Sequence, residues 1–210
     1  MVSPYSATGI TKKFYNRVAP AYDLVMDFAE RKTLGKWRKL LWAKAEGSYI
    51  LEAGVGTGKN FPFYPKDTWI TAIDLSDSML IRAREKANKQ GIKVQLKNMD
   101  VQNLEFPDNT FDTVVASFVF CSVEDPVRGL TEIERVCKPG GKVILLEHVL
   151  STNPILALLM NLANPLVCQS IRDNINRNTE DSVIRSGLVI EKVTEIAARI
   201  VKLIEARKDI

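Results

Sequence analysis

The chain has 210 residues, 46% of them apolar, which suits one packed domain, and no run approaches the ~18–20 apolar residues a bilayer span requires. Its net charge of +4 is unevenly spread: residues 1–48 carry nine basic side chains against four acidic ones, a local +5. That excess is modest and accompanies no nucleic-acid module, so no nucleic-acid partner is expected. Cys121, Cys137 and Cys168 are widely spaced with no CxxC, which predicts reduced, mostly buried thiols and neither a zinc site nor a disulfide framework.

Residues 1–47 read as a helical arm or lid belonging to the same domain as residues 48–210. Met1–Tyr5 shows neither the basic nor the apolar region of a secretory leader, so a cytoplasmic chain is expected. Tyr15 and Tyr22, seven positions apart, share one helical face. They read either as core packing or as an aromatic cover for a cofactor or cationic substrate.

Five short stretches then read as strands: Tyr49–Ala53, Trp69–Asp74, Lys93–Asn98, Phe111–Ser117 and Gly141–His148. The first, second and fourth are nearly all apolar, as buried parallel strands should be. Helices alternate with them. Ser76 is placed to N-cap Asp77–Gln90, with Gly91 at C′. Asp125-Pro126 opens a second helix whose apolar face runs Val127, Leu130, Ile133, Cys137, and Pro139-Gly140-Gly141 stops it. Such alternation predicts an α/β, doubly wound, mostly parallel sheet, with ligands bound beyond the carboxyl ends of the strands. Ile155–Met160 is too apolar for an ordinary surface helix; it would cap a pocket, lie in a membrane interface or pack into the core. From Ile190 onward the spacing fits one helix, yet Val189, Glu191, Val193 and Glu195 also alternate as a strand would.

Chemistry concentrates where the first strand ends. Leu51-Glu52-Ala53-Gly54-Val55-Gly56-Thr57-Gly58 is an apolar run entering a turn of alternating glycines, and Asp74 closes the next apolar run. Glycines there let a ligand lie on bare backbone, and a carboxylate at the next strand tip can accept both ribose hydroxyls. Three adenosine ligands compete. A P-loop is incomplete, with Ala53 for its first glycine and Asn60 for its hydroxyl. A dinucleotide fold needs G-x-G-x-x-G opening a long helix, whereas Pro62 and Pro65 permit only a short one. Glu52 would repel a pyrophosphate but serve a cation. S-adenosylmethionine, a phosphate-free sulfonium, fits best.

Here the chain resembles the class I S-adenosylmethionine-dependent methyltransferases. The matching segments are Leu51–Gly58, Ala72–Leu80, Asn98–Val101, Phe111–Ser117 and Lys138–Val143, in family order over about residues 48–148. The resemblance implies a Rossmann-like seven-stranded sheet, with 190–207 forming two antiparallel strands split near Ala197-Ala198. It implies a cofactor site of Glu52, Gly54, Gly56, Gly58, Asp74, Leu75, Met79, Asp100, Val101 and Ser117, with Tyr22 over it. In that site Glu52 and Ser117 meet the methionine portion, Asp74 the ribose, Ser76 and Met79 the adenine faces and Asp100 the adenine amine. His148, Tyr22 and Tyr15 are the candidates for acceptor chemistry. S-adenosylhomocysteine is the expected product.

The acceptor reads as small or lipidic. Ser117–Cys121 is an apolar lip where nucleic-acid amine methyltransferases carry Asp/Asn-Pro-Pro-aromatic. Asn60–Pro65, Phe120–Val123 and Leu146–Val149 resemble bacterial phosphatidylethanolamine N-methyltransferases and membrane-associated thiol methyltransferases of the methyltransferase-like type. Tyr22-Asp23 and Trp37-Arg38 are shared with quinone C-methyltransferases, but His148 replaces the phenylalanine usual there. Phosphatidylethanolamine is the first expectation, with a thiol or quinone as alternatives. A cofactor-binding protein without catalysis is the remote one. The basic arm would favour an anionic membrane surface.

Overall fold

The computed structural model describes residues 7–171, 174–197 and 199–210, so Met1–Tyr5 and Ala198 lie outside the described residues. The arm consists of α1 (Ala7–Ala29), a π-helical turn (Glu30–Leu34) and α2 (Gly35–Trp42). The turn needs a glycine after it, since a Cβ at Gly35 would stand 2.9 Å from the Glu30 carbonyl oxygen.

The body alternates β1 (Tyr49–Ala53), β2 (Trp69–Asp74), α3 (Asp77–Gln90), β3 (Gln95–Asn98), β4 (Phe111–Ser117), α4 (Pro126–Val136) and β5 (Cys137–His148). It ends with α5 (Pro154–Ile171), α6 (Thr179–Arg185), β6 (Val189–Ala197) and β7 (Val201–Arg207). The sheet order is β3-β2-β1-β4-β5-β7-β6. The first five strands are parallel, and β7 runs antiparallel to both β5 and β6. The order reverses between β1 and β4, and a crevice opens there at the carboxyl ends.

The predicted caps form. Ser76 Oγ accepts from the Met79 N–H, Asp125 accepts from the Arg128 N–H, and Gly91 adopts φ 66°. One face of the sheet packs on α4 and α6 through Leu51, Val114, Leu130, Ile133 and Val183. The other packs on α2 through Ile50, Val115, Leu41 and Trp42.

Three readings are corrected. The fifth strand starts at Cys137, four residues early, because Cys137 pairs with Phe111 before the register slips between Phe111 and Thr113. Cys137 is therefore extended, and Val136 completes the buried face of α4. The third strand keeps only Gln95–Asn98. Finally, Ile155–Met160 does not enter the core: Ile155, Leu158 and Leu159 are exposed, and Met160 alone of them is buried. The C-terminal ambiguity resolves to two strands. Tertiary pairing along β5 and β7 outweighs the helical periodicity.

Candidate active site

A cavity of about 990 Å³, counting its mouth, lies over the carboxyl ends of β1, β2 and β4. Gly54, Gly56, Asp74, Leu75, Ser76, Met79, Asp100, Val101, Ser117, Tyr15 and Tyr22 all line it. Other parts of the wall, among them Arg38, Lys59, Gln102 and Phe118, were not anticipated from the sequence.

Gly54 and Gly56 take φ 70° and 54°. A Cβ at Gly54 would stand 2.3 Å from Val119 Cγ2, while one at Gly56 would meet nothing within 4 Å. Gly54 thus serves close packing, and Gly56 leaves bare backbone facing open space. The Gly56 N–H donates to Asp74 Oδ2 and the Ser76 N–H to Asp74 Oδ1, each at 2.8 Å. Each carboxylate oxygen keeps a second lone pair, enough to accept two neighbouring hydroxyls. Burial pushes Asp74 up to about 6, against the lowering effect of those two N–H donors. The pocket thus fits S-adenosylmethionine: an accepting carboxylate, open space over Gly56, and apolar walls at Ile73, Met79 and Val101.

Three predicted residues lie elsewhere. Gly58, at φ 78°, faces the Phe61 ring, which a Cβ there would approach to 2.4 Å. Glu52 is fully buried outside the cavity wall, and its two oxygens accept from Asn60 Nδ2 and the Tyr64 hydroxyl. Burial pushes it up to about 7, although Tyr64, Asn60 and Arg38 pull it down. His148 pairs with Val201, and its ring lies 5.2 Å from that of Phe118, one side chain removed from the cavity. Strand alternation turns Glu147 the other way, where it is fully buried beneath the Val119 turn. Glu147 Oε1 accepts from the N–H groups of Val119 (2.9 Å) and Phe120 (3.2 Å). That turn holds Phe118 at φ 56°, an uncommon conformation for an aromatic residue.

The main element missed is Arg38. Only 5% exposed, it lines the cavity and organises a polar cluster. Its Nε donates to Glu30 Oε1 at 2.9 Å, and its Nη1 donates to Asn60 Oδ1 (3.0 Å) and Ser117 Oγ (2.8 Å). Its guanidinium lies 5.6 Å from the Phe118 ring centre. Among nine basic residues on a charged arm, nothing local marked Arg38 as the buried one. Trp42 and Leu41, buried on the same helix, carried the only hint.

The arm closes the site by crossing the strand tips. Thr8 donates to Glu124 Oε2 from its N–H (2.8 Å) and hydroxyl (2.5 Å). Asn16 Oδ1 accepts from the Ser76 hydroxyl (2.6 Å) and the Ser78 N–H (3.1 Å). Lys12 pairs with Asp77 at 2.9 Å. Among the described residues, no His/Cys/Asp/Glu cluster could hold a metal, and the three cysteines are free.

Known proteins agree with this architecture. Residues 51–145 match the Methyltransferase domain family. The chain is 34% identical over 159 residues to the ubiquinone/menaquinone biosynthesis C-methyltransferase UbiE of Bdellovibrio bacteriovorus, covering 72% of this chain and 67% of that one. It is 46% identical over 106 residues to the phosphatidylethanolamine N-methyltransferase of Cereibacter sphaeroides, covering 50% of this chain and 52% of that one. The match thus spans about half of that relative. In fold it is similar to geranyl diphosphate methyltransferase solved with its cofactor (TM-score 0.71, 13% identity, 82% of this chain and 84% of that one). It is also similar to the [4+2]-cyclase SpnF (TM-score 0.77, 18% identity, 98% and 97%). A likeness that includes a cyclase speaks for fold alone. The chain belongs to the class I S-adenosylmethionine-dependent methyltransferases. Its cofactor is S-adenosylmethionine.

Proposed function

We propose that the acceptor is the amine of phosphatidylethanolamine. The observation that carries this reading is that Tyr15, Tyr22 and Phe118 line the same cavity as the glycine turn. Aromatic faces attract ammonium groups, and substrate and methylated product would both be cationic at the headgroup. The 46% identity to a phosphatidylethanolamine enzyme supports it. Bound S-adenosylmethionine supplies an activated methyl. The headgroup ammonium would first give one proton to solvent at the cavity mouth; its freed lone pair could then take that methyl as the S–C bond breaks, leaving S-adenosylhomocysteine and a methylated ammonium.

On this reading Asp74 holds the ribose, Leu75, Met79 and Val101 enclose the adenine, Asp100 meets its amine, and Ser117 faces the methionine portion. Residues 1–47 act as a lid of the same domain, and their excess positive charge favours an anionic membrane surface at the cytoplasmic side. Burial raises the Tyr22 phenol, keeping it neutral, so it can donate or accept one hydrogen bond. His148 is dropped as a proton acceptor.

Tyr22→Phe and Tyr22→Ala separate the roles. An aromatic face alone predicts that Tyr22→Phe keeps kcat within about threefold while Tyr22→Ala loses at least tenfold in kcat/KM. Equal activity of Tyr22→Ala and wild type on phosphatidylethanolamine would remove the basis of the reading. Quinone C-methylation is the second reading, favoured by the longer matched length of the UbiE relative.

A further inference from the structure

α5 is assembled inside out. Its exposed large apolar residues are Ile155, Leu158, Leu159, Leu162 and Leu166, the first 73% and the last two 69% exposed. At 100° per residue these five fall within an arc of about 100°. Met160, Asn164, Ala157 and Cys168 share the opposite arc and are buried or half-buried. A surface helix ordinarily turns its apolar stripe to the core; this one turns it to the outside. From Pro154 to Ile171 there is no charged residue. The helix is capped at its start and tied to the segment that follows it. Asn153 Oδ1 accepts from the N–H groups of Ile155 (3.0 Å) and Leu156 (3.2 Å), and Asn176 Nδ2 donates to Asn161 Oδ1 at 2.9 Å.

Its position says what it faces. α5 starts six residues after β5 ends, at the carboxyl edge of the sheet. The segment that follows it is tied to the cavity rim: the Asn174 N–H donates to Cys121 O at 2.9 Å, and Arg177 Nη2 donates to Val123 O at 2.6 Å. Ser122, Val123 and Glu124 line the cavity, and Thr8 of α1 bonds to that same Glu124. On α1, Lys13 and Arg17 are exposed one turn apart. The segment after α5 thus meets the cavity rim that α1 also touches, and α1 carries surface cations.

We propose that the outward face of α5 docks onto an anionic phospholipid bilayer and sets the cavity mouth against the headgroups. The aliphatic stripe would enter the headgroup–acyl boundary, and Lys13 and Arg17 would complement anionic lipid. No described helix is long and apolar enough to cross a membrane, so the geometry is one of lying on the surface. The choice of a bilayer over a second copy of the chain rests in part on the lipid-acceptor reading above.

The test is vesicle flotation of the full chain with phosphatidylethanolamine–phosphatidylglycerol vesicles, comparing wild type, Leu158→Ser/Leu162→Ser and Ile155→Ser/Leu166→Ser. These positions are exposed, so both variants should melt like wild type; the second pair covers the case in which the first misfolds. Wild type should float with the vesicles, and the folded variant should need at least tenfold more lipid. Both should turn over water-soluble dihexanoyl phosphatidylethanolamine equally, while the variant slows on vesicular lipid. If no phosphatidylethanolamine is methylated but the variant still loses vesicle binding, the docking surface stands and the acceptor reading falls. Undiminished flotation of a folded variant would overturn the docking proposal. So would light scattering that finds a wild-type dimer, dissolved by these substitutions, and no vesicle binding.

Discussion

The Thr57 hydroxyl, inside the glycine turn, donates to Asp23 Oδ1 on the arm at 2.6 Å. Lys59 closes on the same oxygen at 2.7 Å. Burial alone would raise Asp23, but the bonds from Lys59 and Thr57 hold it below the usual carboxylate range. The turn that shapes the cofactor site is thereby latched to the lid that covers it. Asp23→Asn weakens both bonds and should speed S-adenosylhomocysteine release several-fold, with little change in global stability. Stopped-flow displacement reads this directly, and an unchanged release rate would detach the latch from ligand exchange.

Gly54 and Gly56 should fail differently when replaced by alanine. Both pay for a left-handed backbone, about 1–2 kcal/mol. At Gly54 the new methyl also strikes Val119, so Gly54→Ala should lose about 2–5 kcal/mol of stability in urea melts. At Gly56 the methyl points into open space. Gly56→Ala should therefore stay near the 1–2 kcal/mol backbone cost while S-adenosylhomocysteine affinity by calorimetry falls at least tenfold. Equal stability losses in the two variants would contradict the distinction.

Asp74 and Glu52 give the ligand-free protein a definite pH response. Their folded values, about 6 and about 7, lie above the ordinary 3.8 and 4.5. Between the ordinary and folded values the folded state binds more protons than the unfolded chain. Stability is therefore greatest below the ordinary value of 3.8 as far as these groups are concerned, and falls as pH rises to about 7. With the ribose held by Asp74 as proposed, affinity should move the opposite way and weaken as pH drops through about 6. Paired melts and calorimetry at pH 5.5 and 7.5 test both signs. Glu52→Gln should flatten the stability trend, and an unchanged slope would remove Glu52 as its source.

Arg38 and Glu30 form a nearly buried ion pair at 2.9 Å, with side chains 6% and 13% exposed. Removing one partner of such a pair costs about 3–5 kcal/mol because a charge is left buried. Arg38→Ala should lose that much stability. Arg38→Lys should recover only part of it, since a point charge cannot reach Glu30, Asn60 and Ser117 together. A loss under about 1 kcal/mol would place the pair among solvent-screened ones.

The contrast between these residues shows what the sequence could convey. The glycine turn and Asp74 were legible because their chemistry is local: backbone freedom, strand-end position and a carboxylate at fixed spacing. The helix caps were legible for the same reason. Glu52 was misplaced because a central strand sends alternate side chains to opposite faces, and only the fold shows that Asn60 and Tyr64 meet it. His148 was misplaced by the same alternation, which turns Glu147 beneath the Val119 turn and leaves His148 against Phe118. Arg38 was invisible because its partners lie 8, 22 and 79 residues away. The stripe on α5 could be read as apolar but not as outward-facing, since periodicity carries no direction.

The acceptor is decided by one measurement: methyl-labelled S-adenosylmethionine incubated with the protein and, side by side, phosphatidylethanolamine vesicles, a small thiol and a demethylated quinone. The account predicts label on the phosphatidylethanolamine amine, matched mole for mole by S-adenosylhomocysteine. Label on the quinone or thiol with none on the lipid would contradict it.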